Sequence, residues 1–403
     1  MKDGLAFDGL NIEHIGAGNY LVADRSNKSA TSYQIDETGH IASIKKTVNA
    51  QQSETKSFTT VGLTDIQVNG FAGIDFNSEL ITSSRMDEAL AHMAICGVTR
   101  VLPTLITAEE DDLIARLGQL DKAVSTSVLG PRMVNGYHIE GPFLSPKDGC
   151  SGAHSAAAMR AGSKRLVQRL MDVTSRPILI LTVAPEQDGV LELIPFLIEQ
   201  GIACAIGHTM ASRSEIAAAI KAGATLSTHL GNGLPHVLNK NENPLLSQLG
   251  HDELTASFIA DGIHIHPENL QSYIRAKTLD RTIIVTDAVA AAGSDLAPGV
   301  YSMGGTEIER HEDGSVRIPG SIYLAGSSAT MDQMVRNLMN WYNYSMPDIL
   351  QITRENPARM VAGFAPALKV SSSAEFVKWE TIDGELHVCE TRIGPWSIRR
   401  ISA

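Results

Sequence analysis

The chain has 403 residues, 43% hydrophobic and 19% charged, which supports a large buried core and excludes gross disorder. Its net charge of -12 supplies no phosphate-neutralising surface and argues against nucleic acid as a partner, while leaving room for a local basic pocket and an anionic small substrate. The length exceeds one ordinary domain and falls short of three; a barrel of roughly 250–300 residues with a smaller companion fits it.

The opening MKDGLAFDGL has no apolar core of signal-peptide length, and no apolar run is long enough to span a bilayer. Cys96, Cys150, Cys204 and Cys389 form no CxxC pair and no tight framework, which speaks against a zinc knuckle or a disulfide scaffold. A reducing cytoplasm is the expected compartment.

Residues 1–58 read as small β-structure. Short alternating stretches such as Tyr20–Val22 and His40–Ile44 are broken by Gly, Asn and Ser. From about Ala365 the same character returns in Glu375–Trp379, Glu385–Cys389 and Trp396–Ile401. The two ends, 1–58 and 365–403, are expected to pair into one small β-sandwich domain around a central unit, 59–364.

In the central unit, short apolar runs alternate with amphipathic stretches. Strands are predicted at Gly62–Val68, Thr99–Leu105, Met133–Ile139, Ile178–Val183, Ala203–Ile206, Thr225–Thr228, Ala256–Ile259 and Thr282–Val285. Helices are predicted at Met86–Ile95, Asp111–Val124, Leu191–Glu199, Ser212–Lys221 and Pro267–Ala276. Such alternation implies parallel strands with right-handed crossovers. Eight units point to a closed α/β barrel, the (β/α)8 or TIM-type fold. An open doubly wound sheet is the alternative, but the first strand runs into NGFAG rather than a GxGxxG that opens a helix, so no dinucleotide site is indicated.

Polar residues gather just after the predicted strands. Gln67 and Asn69 follow the first, His138 and Glu140 end the third, and His208, His229, His264 and Asp287 follow the fifth to the eighth. In a (β/α)8 barrel these ends share one face, where active sites lie. One carboxylate and two imidazoles suit a divalent transition metal that keeps open positions for water, so Glu140, His208 and His229 form the expected ligand set. Taken singly, each also reads as a hydrogen-bonded core or rim residue. Asp287 has two readings: the group that moves the proton in a metal-assisted hydrolysis, or a helix N-cap at a strand–helix junction. In HIHIHP, His266 precedes Pro267 and suits a helix start, which leaves His264 as the site candidate.

The segments HIEGPFLSP, GAHS, LTVAPE, AIGHT, THLGNG, ADGIH, VTDAVAAAG, LAGSSATM and ENPARM, in this order from about Asp65 to Gly363, resemble the N-acetylglucosamine-6-phosphate deacetylases of the amidohydrolase superfamily. The resemblance implies metal-dependent hydrolysis of the N-acetyl group of an amino sugar. One divalent ion is implied, zinc first, with iron, manganese or cobalt as alternatives. Glu140, His208 and His229 match the metal ligands and Asp287 the catalytic acid/base. Ala153, His154, Asn232, Gly233, His264, Leu324, Ala325 and Gly326 match substrate contacts. The first strand reads Gln67-Val68-Asn69 where many amidohydrolases carry HxH and a second metal, so Gln67 and Asn69 are expected beside the substrate and a single metal is expected. The family is commonly dimeric, which implies a homodimer. After THLGNG the family carries HHREPG, whose arginine binds the sugar phosphate, often from the neighbouring subunit. Here the text is LPHVLNKNENP, with Lys240 in that place, readable as a phosphate contact or as a solvated loop lysine. A non-phosphorylated or differently substituted N-acyl amino sugar therefore competes as substrate. Further rivals are another amide hydrolase of the superfamily, a silent sugar-binding protein, and a glycosidase using Glu140 and Asp287 as its carboxylate pair.

Overall fold

A strand packed on both faces carries apolar residues without alternation. Ile178–Val183, written ILILTV, is buried at every position, as are Tyr137–Glu140 and Ala203–Ile206. The computed structural model describes residues 5, 7, 9–15, 17–23, 29–48, 57–293, 296–364 and 374–401. Within it these runs belong to one eight-stranded sheet: β1 (Leu63–Val68), β2 (Val98–Ile106), β3 (Tyr137–Glu140), β4 (Ile178–Val183), β5 (Ala203–Ile206), β6 (Leu226–Ser227), β7 (Thr255–Phe258) and β8 (Thr282–Ile284). Neighbours in sequence are neighbours in the sheet, and each pair is parallel. The sheet closes through the chain just beyond β8. The Asp287 amide donates to the Gln67 carbonyl at 3.0 Å, and the Asn69 amide donates to the Ala288 carbonyl at 2.7 Å. The result is the (β/α)8 barrel.

Helices lie between the strands where caps and periodicity place them. Ser83–Ala94 starts on Thr82, whose side chain accepts the Arg85 amide. Arg213–Ala222 starts on a reciprocal Ser212–Glu215 capping box. Pro267–Lys277 begins with its proline in the first turn, directly after His266. The third strand departs most from the sequence reading: Met133 lies in the helical turn Gly130–Met133, which carries a proline in its first turn, and the strand begins only at Tyr137.

The terminal segments do pair. Leu10–His14 lies against Trp396–Arg400, and Ser57–Val61 against Glu375–Ile382, within a five-stranded antiparallel sheet. A three-stranded sheet, Gly18–Ala23, Ser29–Ile35 and Ile41–Val48, packs Val22 and Ile35 against Ala374 and Phe376. Glu375 fastens this β-structure to the barrel by accepting from Arg100 and Arg354, each at 2.8 Å. The expected junction at 58/59 falls inside the strand Ser57–Val61, and residues 365–373 lie outside the described ones.

An antiparallel sheet inserted after β8 has no counterpart in the sequence reading. It comprises Gly299–Met303, Thr306–Arg310, Ser315–Arg317 and Leu324–Ser327. Its last strand runs beside the chain leaving β8, where the Ser327 amide donates to the Asp287 carbonyl at 2.9 Å. Among the described residues, no helix is long and apolar enough to cross a membrane.

Candidate active site

The polar residues beyond the strand ends converge at one mouth of the barrel. Three of them, His208, His229 and Asp287, hold left-handed backbone at φ 50°, 27° and 50°. For residues with a Cβ this conformation costs about 1–2 kcal/mol each and is retained only where neighbours enforce it. The enforcing contacts are visible. The His208 carbonyl accepts the Ser145 amide at 3.0 Å, and the His229 amide donates to Ser257 Oγ at 2.8 Å. The Asp287 amide is held by Gln67 across the barrel seam.

At the centre, Glu140 Oε1 lies 2.9 Å from His229 Nε2 and 3.2 Å from His208 Nε2. The two imidazole nitrogens are themselves 3.1 Å apart. Ligand atoms about 2.0–2.1 Å from a tetrahedral ion stand roughly 3.3 Å from one another, so this spacing fits a metal ion. His208 Nδ1 meets the Cys150 carbonyl at 2.6 Å, which leaves the Nε2 lone pair for a ligand, as outer-shell partners of metal-bound histidines do. Glu140, His154 and His208 also make a cluster able to hold a metal, with ligand atoms within 4.8 Å of one another. His154 is the looser member: its Nε2 is 3.6 Å from Glu140 Oε2, and its Nδ1 accepts the Thr107 amide at 3.3 Å.

The electrostatics favour a cation. Burial pushes the Glu140 carboxyl up, but the charge of His229 and hydrogen bonds from His154, His208 and His229 outweigh it and hold the group well below its ordinary range. Burial pulls the His229 imidazole down, yet the adjoining Glu140 and the charge of Asp287 raise it to about 9. Burial and the neighbouring His208 lower His154 to about 4. Burial, reinforced by Glu140 and opposed by His229, His264 and a hydrogen bond from Asn69, pushes Asp287 up to about 6.

Around this centre lies a cavity of about 470 Å³, within the size range of small-molecule sites. Of the residues singled out in the sequence, Glu140, His208, His229, Asp287, Asn69, Ala153, His154, Asn232, Gly233, His264, Leu324 and Gly326 line it. Asn69 Nδ2 donates to Asp287 Oδ1 at 2.8 Å. Gln67 stands behind the wall and donates from Nε2 to Glu140 Oε1 at 3.1 Å. Ala325 is buried behind its lining neighbours, in the apolar cluster of the inserted sheet. Lys240 is exposed on its loop and does not line the cavity of its own chain. His138 is buried between the Ile66 carbonyl at 3.0 Å and Thr182 Oγ1 at 2.8 Å, and burial lowers it to about 4; it braces the barrel interior. His266 occupies the position before a helix and makes no side-chain capping bond.

The sequence reading missed Asp261, His236, Arg317 and Tyr323. Asp261 accepts His264 Nδ1–H at 2.6 Å and the amides of Ile263 and His264, each at 2.9 Å. An Asp three residues before a His was the available signal. The other three line the mouth from a loop and from the unforeseen inserted sheet.

No family model matches the chain. It is 32% identical over 321 residues to the N-acetylglucosamine-6-phosphate deacetylase of Bacillus subtilis (strain 168), covering 78% of each chain. It is 29% identical over 326 residues to the N-acetylgalactosamine-6-phosphate deacetylase of Escherichia coli O157:H7, covering 80% of this chain and 83% of the relative. A mutant N-acetyl-D-glucosamine-6-phosphate deacetylase from Mycobacterium smegmatis, solved in complex with N-acetyl-D-glucosamine-6-phosphate, superposes with a TM-score of 0.80 at 25% identity, covering 94% of this chain and 99% of that one. The chain belongs to the N-acetylglucosamine-6-phosphate deacetylase family of amidohydrolases.

Proposed function

We propose that this chain hydrolyses the N-acetyl group of N-acetylglucosamine-6-phosphate, giving acetate and glucosamine-6-phosphate. The reading rests on one observation above all: two imidazole nitrogens and a carboxylate oxygen within 3.2 Å of one another, beside Asp287 in a small-molecule cavity. Family membership supports it.

Glu140, His208 and His229 are the proposed ligands of one divalent ion, zinc first; iron, manganese and cobalt suit the same donors. This set is preferred over one containing His154 because its atoms lie closer together. In addition, the Thr107 amide occupies His154 Nδ1, which puts the proton on Nε2 and makes it a donor toward the acyl oxygen or Glu140. A bound cation supplies Lewis acidity to the acyl group and lowers the pKa of water. The chain's own groups do the rest. Asp287 takes a proton from the attacking water and delivers it to the nitrogen as the C–N bond breaks. Asn69 holds the Asp287 carboxyl at 2.8 Å. His264, steadied by Asp261, with Leu324 and Gly326, lines the walls that receive the sugar.

A division into a terminal β-domain that includes the strand Ser57–Val61 and a central barrel, a homodimeric state and a cytoplasmic location belong to the same proposal. Four unpaired cysteines, three of them buried, support a reducing compartment. The test is acetate release from N-acetylglucosamine-6-phosphate and N-acetylgalactosamine-6-phosphate by metal-analysed protein. Release from the former at a kcat/KM well above the latter supports the assignment; the reverse order reassigns the sugar, and release from neither rejects the activity.

A further inference from the structure

The catalytic end of the cavity carries the carboxylates Glu140 and Asp287. A phosphoryl group on the substrate is well matched by a guanidinium set apart from these carboxylates. Among the residues that line the cavity, Arg317 is the one Lys or Arg. It ends the strand Ser315–Arg317 of the inserted sheet. The last strand of that sheet, Leu324–Ser327, reaches the catalytic end through Leu324 and Gly326. In this pair of strands Ser315 stands opposite Ser327, whose amide donates to the Asp287 carbonyl, and Arg317 opposite Leu324, so the sheet runs from the Asp287 segment to Arg317.

The state of the guanidinium suits a ligand. Arg100, Arg160, Arg169, Arg336 and Arg354 each face a carboxylate. Arg317 has no carboxylate within ion-pair distance among the described residues; Asp313, whose carboxyl accepts the Ser315 amide at 2.9 Å, is near enough for the guanidinium to help hold it low, but not paired with it. The contact of Arg317 there is one hydrogen bond from Nη1 to the Ile322 carbonyl. That bond anchors the side chain and leaves most of its five N–H groups for a bidentate partner. On the same rim His236 packs edge-on against Tyr323 at 5.0 Å between ring centres. Asp148 is engaged by the Tyr323 hydroxyl, which donates to it at 3.4 Å.

We propose that Arg317 is the specificity-determining residue for an anionic phosphoryl group on the substrate, supplied from the inserted sheet of the same chain rather than from the loop that carries Lys240. The inference rests on the deacetylase reading for the identity of the sugar, but not for the existence of the anion site. Lys240, exposed and absent from the lining of its own cavity, is the rival, acting on a second copy.

The test is steady-state kinetics of the metal-loaded native chain, R317A, R317K and K240A on N-acetylglucosamine with and without the 6-phosphate. In R317A, KM for the phosphorylated sugar rises roughly 10- to 100-fold with a small change in kcat, the preference over the bare sugar collapses, and competitive inhibition by inorganic phosphate weakens in parallel. R317K recovers part of the preference, because lysine binds as a point charge without the fork. Retention of the preference in R317A, its collapse in K240A instead, or a native preference for the bare sugar overturns the inference and leaves the deacetylase reading standing. If the native chain deacetylates neither sugar, that reading fails on its own. Titration calorimetry with glucose 6-phosphate then decides the anion site: weaker binding to R317A than to the native chain supports it, and equal binding rejects it.

Discussion

Asp65 is fully buried at the seam where β1 meets the chain leaving β8. Its Oδ2 accepts the Thr286 hydroxyl at 2.5 Å, and its Oδ1 accepts the amides of Thr286 at 3.2 Å and Gln67 at 3.3 Å. Burial outweighs these bonds and pushes the carboxyl from its ordinary 3.8 up to about 7. Between those values the folded chain keeps a proton that the unfolded chain has released. Stability from this group is complete below pH 3.8 and is lost as pH rises to 7. A difference of about three pH units at 1.36 kcal/mol each amounts to about 4 kcal/mol, of which roughly 3 kcal/mol falls between pH 5 and pH 8. Asp65→Asn keeps an oxygen for both amides, and the Thr286 hydroxyl can turn to accept from the new NH2. The variant removes the titration with little loss of bonding. Equilibrium urea melts at pH 5 and pH 8, under identical metal loading, should show the variant gaining about 3 kcal/mol on the native chain over that range. Parallel stabilities at the two pH values would refute the reasoning and show Asp65 to be ionised in the folded state throughout.

Four further outcomes are expected. Asp287→Asn should retain metal while kcat drops roughly 10²- to 10⁴-fold, and native activity in that variant would remove Asp287 from the proton path. The native kcat/KM should fall on the acid side as Asp287 takes up a proton, with the limb at or below about 6, since a bound cation adds to the influences that lower this carboxyl; a pH–rate profile locates it. Glu140→Gln and His208→Ala should each lose metal, measured by elemental analysis, together with activity, and full occupancy in either would move the metal centre elsewhere. Asp261→Asn should lower turnover about tenfold by releasing His264 from its 2.6 Å partner; unaltered kinetics would leave Asp261 as a turn-former only.

The barrel was legible because its strands are continuous apolar runs separated by amphipathic stretches, and Glu140, His208 and His229 stood out as candidate ligands because they end or follow such runs; His154, which joins Glu140 and His208 in a cluster able to hold a metal, was read as a substrate contact. What the pattern does not carry is backbone conformation. Nothing in AIGHT or THLGNG announces that His208 and His229 sit at positive φ, the feature that turns two rings toward one carboxylate. Asp287 offered a helix-cap reading because a strand-end carboxylate looks alike in either role; among the described residues no helix starts on it, and its carboxyl accepts from Asn69 instead. As strands, residues 299–323 escaped notice because Gly299–Met303 and Thr306–Arg310 are mostly exposed or half-exposed and Ser315–Arg317, though buried at Ser315 and Val316, is only three residues long. Arg317 was lost with them. Lys240 attracted attention by its place in the text, but that place faces solvent in its own chain.

The most direct test of the central claim is acetate and free-amine release from N-acetylglucosamine-6-phosphate, measured before metal removal, after chelation and after restoration of one equivalent of zinc. Metal-dependent deacetylation gives equimolar acetate and amine, loss of turnover on chelation and recovery with the single equivalent. Undiminished turnover in metal-free protein, or no release from the metal-loaded chain, would contradict it.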